Sequence, residues 1–328
     1  MNTSTFLFAF ALATIPGLGN AQQHVWRVNN TSGNPYDADY TDLQNAIDMV
    51  PTGDTLHVEA STANYGLINL DHGLVIIGPG YFLDVNTGLQ ASAVDAEVAG
   101  LTFAAGSENS VVMGLYITSG SGMTVQAGNI VIRGNRLQYA ITIPSGVPLN
   151  NILIQGNHLY GINCGLTAQV SNLNITNNMI GVGFTSYPNT TTGSFTYNVT
   201  GANSNFWGMT CANNIFRSGT TALNDNLFHH NYFHILHPAV PGTGNVLVDM
   251  GTVFAATPDA TDGLYGLAPS SGALTASDVM GPIGVFGGST PYRPSGIPTI
   301  PTIYLIQAPG TAVQGATINV TLSTRSNN

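Results

Sequence analysis

The sequence predicts an all-β fold of stacked coils, a β-solenoid closed at its N-terminal end by one short α-helix, and three observations carry that expectation. The first is an internal repeat. NIVIRGNRL from Asn129, NILIQGNHL from Asn151 and NLNITNNMI from Asn172 set Asn135, Asn157 and Asn178 at intervals of 22 and 21 residues. A unit of that length cannot bury an apolar face alone and must stack on its neighbours. The second is alternation inside each copy. Ile130 and Ile132, then Ile152 and Ile154, flank Val131 and Leu153, which is the period-two pattern of a strand with one face turned inward. The third is composition. With 43% hydrophobic and only 7% charged residues, solubility must rest on Asn, Thr, Ser and Gly, which suits ladders and turns better than amphipathic helices.

Taken in order, Phe6 to Leu18 is an apolar run followed by the small residues Gly19 and Ala21, so residues 1–21 read as a secretory signal, although its first residues lack Lys and Arg. The run is too short to span a bilayer. The mature chain is therefore expected outside the cell, without membrane insertion. His24 to Val28 reads as a first strand and Asn29 to Asp39 as a polar loop. Thr41-Asp42-Leu43-Gln44 has the form of a capping box, and Leu43, Ala46, Ile47 and Val50 follow at helical spacing until Pro51. This predicts a helix over 42–50, covering the apolar interior and unpaired edges of the first coil. Strands are expected at Thr55 to Val58, Leu67 to Leu70 and Leu74 to Ile77.

The run from Tyr40 to Asp48, followed by Val50-Pro51-Thr52-Gly53-Asp54-Thr55-Leu56-His57-Val58, resembles the N-terminal cap and first coil of the pectin-lyase-like superfamily. Gly73 to Leu83 and Gly284 to Tyr292 resemble the first and last coils of uncharacterised secreted bacterial proteins of that kind. The resemblance implies a single-stranded right-handed parallel β-helix over residues 22–290. It implies no particular chemistry, because that fold hosts lyases, hydrolases, esterases, adhesins and structural proteins.

Aligning Asn109, Asn129, Asn151, Asn172, Asp225 and Asn245 at the start of successive motifs puts Val112, Ile132, Ile154, Ile175, Phe228 and Val248 in one inward column. A second column holds Leu115, Asn135, Asn157, Asn178, Asn214 and Asn231, where side-chain amides can bond their equivalents one coil away. Between Asn178 and Asn214 the register lapses, and Thr185 to Asn205 reads as an enlarged loop or a degenerate coil. Thr257 to Asp278 is expected to form a terminal coil, and Pro291 to Pro301 an extended segment. Two short strands, Ile303 to Gln307 and Thr317 to Leu322, are expected to cap the C-terminal end or to form an attachment tail within 291–328. Cys164 and Cys211 fall at different points of their coils and read as buried free thiols.

The net charge of −10 comes with six arginines and no lysine, so nucleic acid and anionic membranes would find no basic footprint. Residues 109 to 224 contain no Asp or Glu. Glu108 and Asp225 are about five coils apart, on the order of 25 Å, too far for the paired carboxylates of a glycosidase or for a calcium cluster. No metal or other cofactor is expected. Two residue sets remain as candidates. Arg133 and Gln155 fall in one outward column and Arg136 and His158 in another, with Tyr160 nearby; these donors and the aromatic plane could bind a sugar chain. The plain alternative is a solvated sheet face. His229 and Asp249, assigned to adjacent coils of the first column, could form a base and its carboxylate partner. The expectation is a secreted, non-enzymatic surface, adhesive or matrix protein whose partner is an extracellular polysaccharide or cell-surface matrix. The alternative is a polysaccharide lyase, esterase or hydrolase using Asp and His of the C-terminal coils.

Overall fold

The computed structural model describes residues 23–146, 148–188, 190–201, 203–219, 221–224, 227–237, 242–255 and 261–327, with the backbone alone for 221–224. The signal segment, Asp225 and Asp259 lie outside the described residues. The chain winds into a parallel β-solenoid of about eight turns. One wall is a ten-stranded sheet running from Val25–Val28 to Leu227–His229. The others belong to a fifteen-stranded sheet whose path runs from Leu67–Leu70 to Val246–Val248. Every pairing between coils is parallel and mostly in register: Ile132 faces Val112 on one side and Ile154 on the other, and Ile154 faces Ile175. Stacking like on like seals the interior, and all four of these side chains are fully buried.

The coils turn on a second ladder. Asn135, Asn157, Asn178, Asn198, Asn214 and Asn231 are all buried, and each Oδ1 accepts the backbone N–H of the ladder residue one coil before it, from Leu115 at one end. The preceding residues, Gly134, Gly156, Asn177, Tyr197, Asn213 and His230, all have φ between 54° and 63°. The left-handed turn aims each amide inward, where it meets its equivalents above and below.

This ladder corrects the alignment at three places. Asn198 belongs to it, so 185–205 is no loop: Thr191–Thr196 is a full strand with Phe195 in the inward column. Asn245 does not open a motif; its Oδ1 accepts from Asn231 at the end of the ladder. Val248 consequently leaves the inward column and pairs with His234 in the other sheet, while Cys211 takes a place between Phe195 and Phe228. The ladder spacing also contracts along the chain, through 22, 21 and 20 residues to 16, 17 and 14. Where it contracts, the aliphatic interior gives way to Phe184, Phe195, Phe206, Phe216, Phe228 and Phe233, with Phe216 and Phe233 stacked at 4.6 Å.

The helix spans Leu43–Met49, and its buried face of Leu43, Ala46 and Ile47 joins the main core. Its N-cap is Asp42, whose Oδ1 accepts from Asn45 N at 2.7 Å. The expected capping box does not form, because the Gln44 side chain reaches Asp48 and the backbone of Asn69 instead.

The largest departure lies after Val248. Instead of a terminal coil, the segment from Asp278, which meets Asn213, to Thr299 runs back along the outside of the solenoid toward its N-terminal coils. Gly284 N bonds to Asn213 O, Asn177 Nδ2 donates to Val285 O and Gly287 O, Gln155 Nε2 donates to Thr290 Oγ1, and Tyr81 N donates to Ser295 O. This strap buries Ile283, Val285 and Tyr292 against an outward column containing Tyr116, Met179, Val199, Ile215 and Tyr232, a second apolar core outside the coils. Asp262, fully buried, anchors it by accepting from Asn86 Nδ2, Tyr292 Oη and Ser295 N. At its closest approach, Gly296 (φ +54°) lies so near the wall that a Cβ would come within 2.2 Å of Gly134 O. The two C-terminal strands, Thr302–Gln307 and Thr321–Arg325, form an antiparallel hairpin. It attaches beside Leu89 and Ala91 near the N-terminal coils, not over the C-terminal end.

Candidate functional site

The strap divides the first set of expected ligand residues. Arg136 and His158 do share a column, but it is the covered one. The Arg136 guanidinium lies between the rings of Phe82 and Tyr116, 3.9 and 4.0 Å from their centroids, and His158 packs edge-on against Phe82. Burial, with Arg136 nearby, pushes the His158 imidazole below its usual range. These two residues are not an open sugar-binding face, and the outward apolar residues that follow them in the column were the signal. Tyr160 lies on the same strand as His158, His158–Cys164, but is exposed, 52% accessible.

Arg133 and Gln155 are adjacent in register at the C-terminal ends of their strands. Together with the strap they border a cavity of about 190 Å³, whose other walls include Thr290, Arg293, Ile297 and Pro298. Burial and the charge of Arg293 lower the Arg133 pKa. Arg293 escaped the sequence reading because it stands in a proline-rich segment with no periodicity to place it.

A second cavity opens at the opposite edge of the same wall. The wall strands Pro148–Gln155, Gln169–Thr176, Thr191–Thr196, Met209–Ala212 and Leu227–His229 shorten through 8, 8, 6, 4 and 3 residues. Their C-terminal ends stay in register, Gln155 with Thr176, Thr196, Ala212 and His229. All of the shortening therefore falls at their starts, and the wall recedes there. The recess is a groove of about 510 Å³ lined by Pro148, Gln169, Ser171, Thr190, Thr192 and Trp207 among others, with no charged side chain. Gly208 (φ +68°) lets the shortened coil pass beneath Thr191 O, which a Cβ would meet at 2.3 Å. Trp207 escapes the sequence reading because it stands where the register lapses between Asn178 and Asn214, just beyond the stretch Thr185 to Asn205 that reads as an enlarged loop or a degenerate coil.

His229 lies in the outward column as expected, after Ala212. Asp249 does not: it follows the strand Val246–Val248 of the other sheet and caps a 3₁₀ turn, with Oδ1 accepting from Gly251 N at 3.0 Å. The expected juxtaposition of the two is thus corrected. The His229 ring meets that of His230, Nδ1 to Nδ1 3.2 Å, and His230 itself supplies a left-handed turn residue before Asn231. His237 packs on Phe233 at 4.9 Å. Among the described residues no three His, Cys, Asp or Glu side chains gather as metal ligands. Cys164 and Cys211 are free and buried, and burial pushes the Cys164 thiol up to about 12. No described helix is long and apolar enough to cross a membrane. No protein-family profile matches the chain, and neither a curated protein nor a solved structure is significantly similar to it.

Proposed function

We propose that this chain is an extracellular surface, adhesive or matrix protein that binds a neutral glycan along the Trp207 groove and releases it unchanged. The lining of the groove carries the reading: an indole, several hydroxyls and an amide, without charge. An aromatic plane stacks on the apolar face of a sugar ring, and hydroxyl and amide groups match its hydroxyls. The lining residues come from four successive coils, so the groove extends about 14 Å along the axis, suited to an oligosaccharide lying lengthwise. Asp249 caps a 3₁₀ turn rather than following His229 in the outward column, so the alignment on which the enzyme reading rests is lost, and this favours binding over turnover.

The same reading places residues 1–21 as a cleaved signal, takes the winding as right-handed and the chain as kin to the pectin-lyase-like proteins, and gives the helix Leu43–Met49 the role of covering the first coil. Its support is the sequence, Phe6 to Ala21 for the signal and Tyr40 to Val58 for the kinship and the helix. The functional test is a neutral-glycan array on the secreted protein, followed by calorimetry on each glycan retained. Trp207→Ala should weaken binding at least ten-fold while the melting temperature holds. Retained glycans that bind Trp207→Ala equally well would remove the groove from the account.

A further inference from the structure

Each coil passes from the amide ladder through the strap-covered wall to a third wall, which carries an outward column made only of Thr and Asn over seven coils. Thr102 faces Thr124, Thr124 faces Thr142, Thr142 faces Asn163 and Asn163 faces Thr185, each pair in parallel register on successive coils. Asn69 precedes this run and Asn205 follows it. The strand neighbours on either side, Leu101 and Phe103, Met123 and Val125, Ile141 and Ile143, are buried, so the column points away from the interior. The four threonines are partly exposed and Asn163 is exposed. Among the described residues none of these five side chains has a hydrogen-bond partner. Two places earlier in the strands stand Gly100, Gly122, Ala140, Gly161 and Gly183, none with a side chain longer than a methyl group, so the column is open on that side. None of the residues lining the Trp207 groove belongs to it.

We propose that this column binds ice, with crystalline water as the ligand and the hydroxyl and amide groups joining its lattice. Strand pairing repeats the column at steps of about 4.8 Å, close to the repeat of water molecules in ice, and carries it over about 29 Å. A single soluble ligand would meet only one or two members, so a repeat of this length favours a partner that repeats as well. The Thr hydroxyl both donates and accepts, as water does, and the methyl beside it orders the water it touches. Branching at Cβ restricts χ1, so the array is set before the ligand arrives and little rotamer freedom is lost on binding. Neither the column nor the Gly and Ala residues two places earlier carry charge, which would orient water around an ion and against the tetrahedral order of ice. A crystalline polysaccharide fits less well, because it calls for aromatic planes on which sugar rings stack, and the column has none.

The test uses the full secreted protein with ice as the probe and microcrystalline cellulose as the alternative solid. Two quantities are read: the gap between the melting and freezing points of a single ice crystal, and the fraction of protein taken into slowly grown ice. The parent protein should open a gap that grows with its concentration and should enter the ice, while cellulose should not retain it. Thr124→Tyr and Thr142→Lys each raise a longer side chain above the column and should lower both readings at least five-fold. Their melting temperatures should hold, since both side chains point away from the interior. If either variant melts lower, Thr185→Lys, on another coil, carries the same test. Leu153→Lys, outward on the ten-stranded wall, should leave both readings unchanged. A parent protein that opens no gap and is excluded from ice would overturn the proposal. So would ice binding that persists in the folded column variants, or that is lost equally in Leu153→Lys. Retention on cellulose that the column variants abolish, without ice binding, would assign the column to a solid polysaccharide and overturn the ice assignment.

Discussion

Replacing Asn157 probes the ladder on which the coils turn. Its Oδ1 accepts from Asn135 N at 2.8 Å, and its Nδ2 donates to Ile132 O at 2.9 Å, Gln155 O at 3.1 Å and Asn178 Oδ1 at 2.9 Å, with the Asn157 side chain itself fully buried. Asn157→Ala leaves the Asn135 N–H buried without an acceptor, which costs about 1–3 kcal/mol, and the lost amide bonds and the small void bring the total to about 3–5 kcal/mol. Asn157→Asp should cost more. Its second oxygen would face those three acceptors, and an ionised carboxylate there would have no counter-ion within the coil. Asn151 is the control. It stands in an exposed ladder, donating to Asn129 Oδ1 and accepting from Asn172 Nδ2, both at 2.8 Å, with φ +54°. Asn151→Ala should cost roughly 1–2 kcal/mol, mostly backbone strain, and Asn151→Gly should recover most of it. Urea unfolding followed by circular dichroism measures all four variants. The reasoning fails if Asn157→Ala loses no more stability than Asn151→Ala, or if Asn157→Asp proves more stable than Asn157→Ala.

Other perturbations test the walls, the strap and the titrating groups. Ile154→Asp puts a charge in the fully buried column and should prevent secretion of folded protein, whereas Gln155→Asp, losing one bond to Thr290, should fold at a cost of about 1 kcal/mol; equal yields would mean a register wrong by one residue. Gly296→Val should lift the strap from Gly134 and expose Met179 and Ile215, seen as dye binding with unchanged far-ultraviolet dichroism; no added dye binding would count against the close contact. Deleting Thr41 to Val50 should give end-to-end association or aggregation, and a truncated protein that stays monomeric in sedimentation would deny the helix its covering role. Burial holds the His57 and His158 pKa values below the unfolded one. As pH falls through about 6.5 the unfolded chain takes up protons first, so these residues withdraw stability in acid. A double His57→Gln, His158→Gln variant should lose less stability from pH 7 to pH 5.5 than the parent, and an unchanged slope would refute the assignment.

What the sequence disclosed depended on whether a pattern was repeated. The columns through Ile132, Ile154 and Ile175, and the amides of Asn135, Asn157 and Asn178, were legible because each coil faces the same packing problem. The coil of Asn198 was hidden because Gly193 stands where its neighbours have Ile152 and Leu173, and because Tyr197 makes the left-handed turn that Gly156 and Asn177 make elsewhere. The strap was hidden because it follows the solenoid wall rather than a period of its own. Its trace was in its partner, where Met179, Val199, Ile215 and Tyr232 make an outward column apolar. Both cavities arise from features without a repeat, the strap at Arg293 and the shortening of wall strands at Trp207, so sequence reasoning found only Arg133 and Gln155 of their linings.

The claim of binding without turnover is tested most directly by incubating the secreted protein with each neutral oligosaccharide it retains and assaying for new reducing or unsaturated ends. The account predicts that the oligosaccharide is recovered intact and that its retention depends on Trp207. Release of new ends that disappears in His229→Gln or Asp249→Asn would contradict it and make the protein an enzyme.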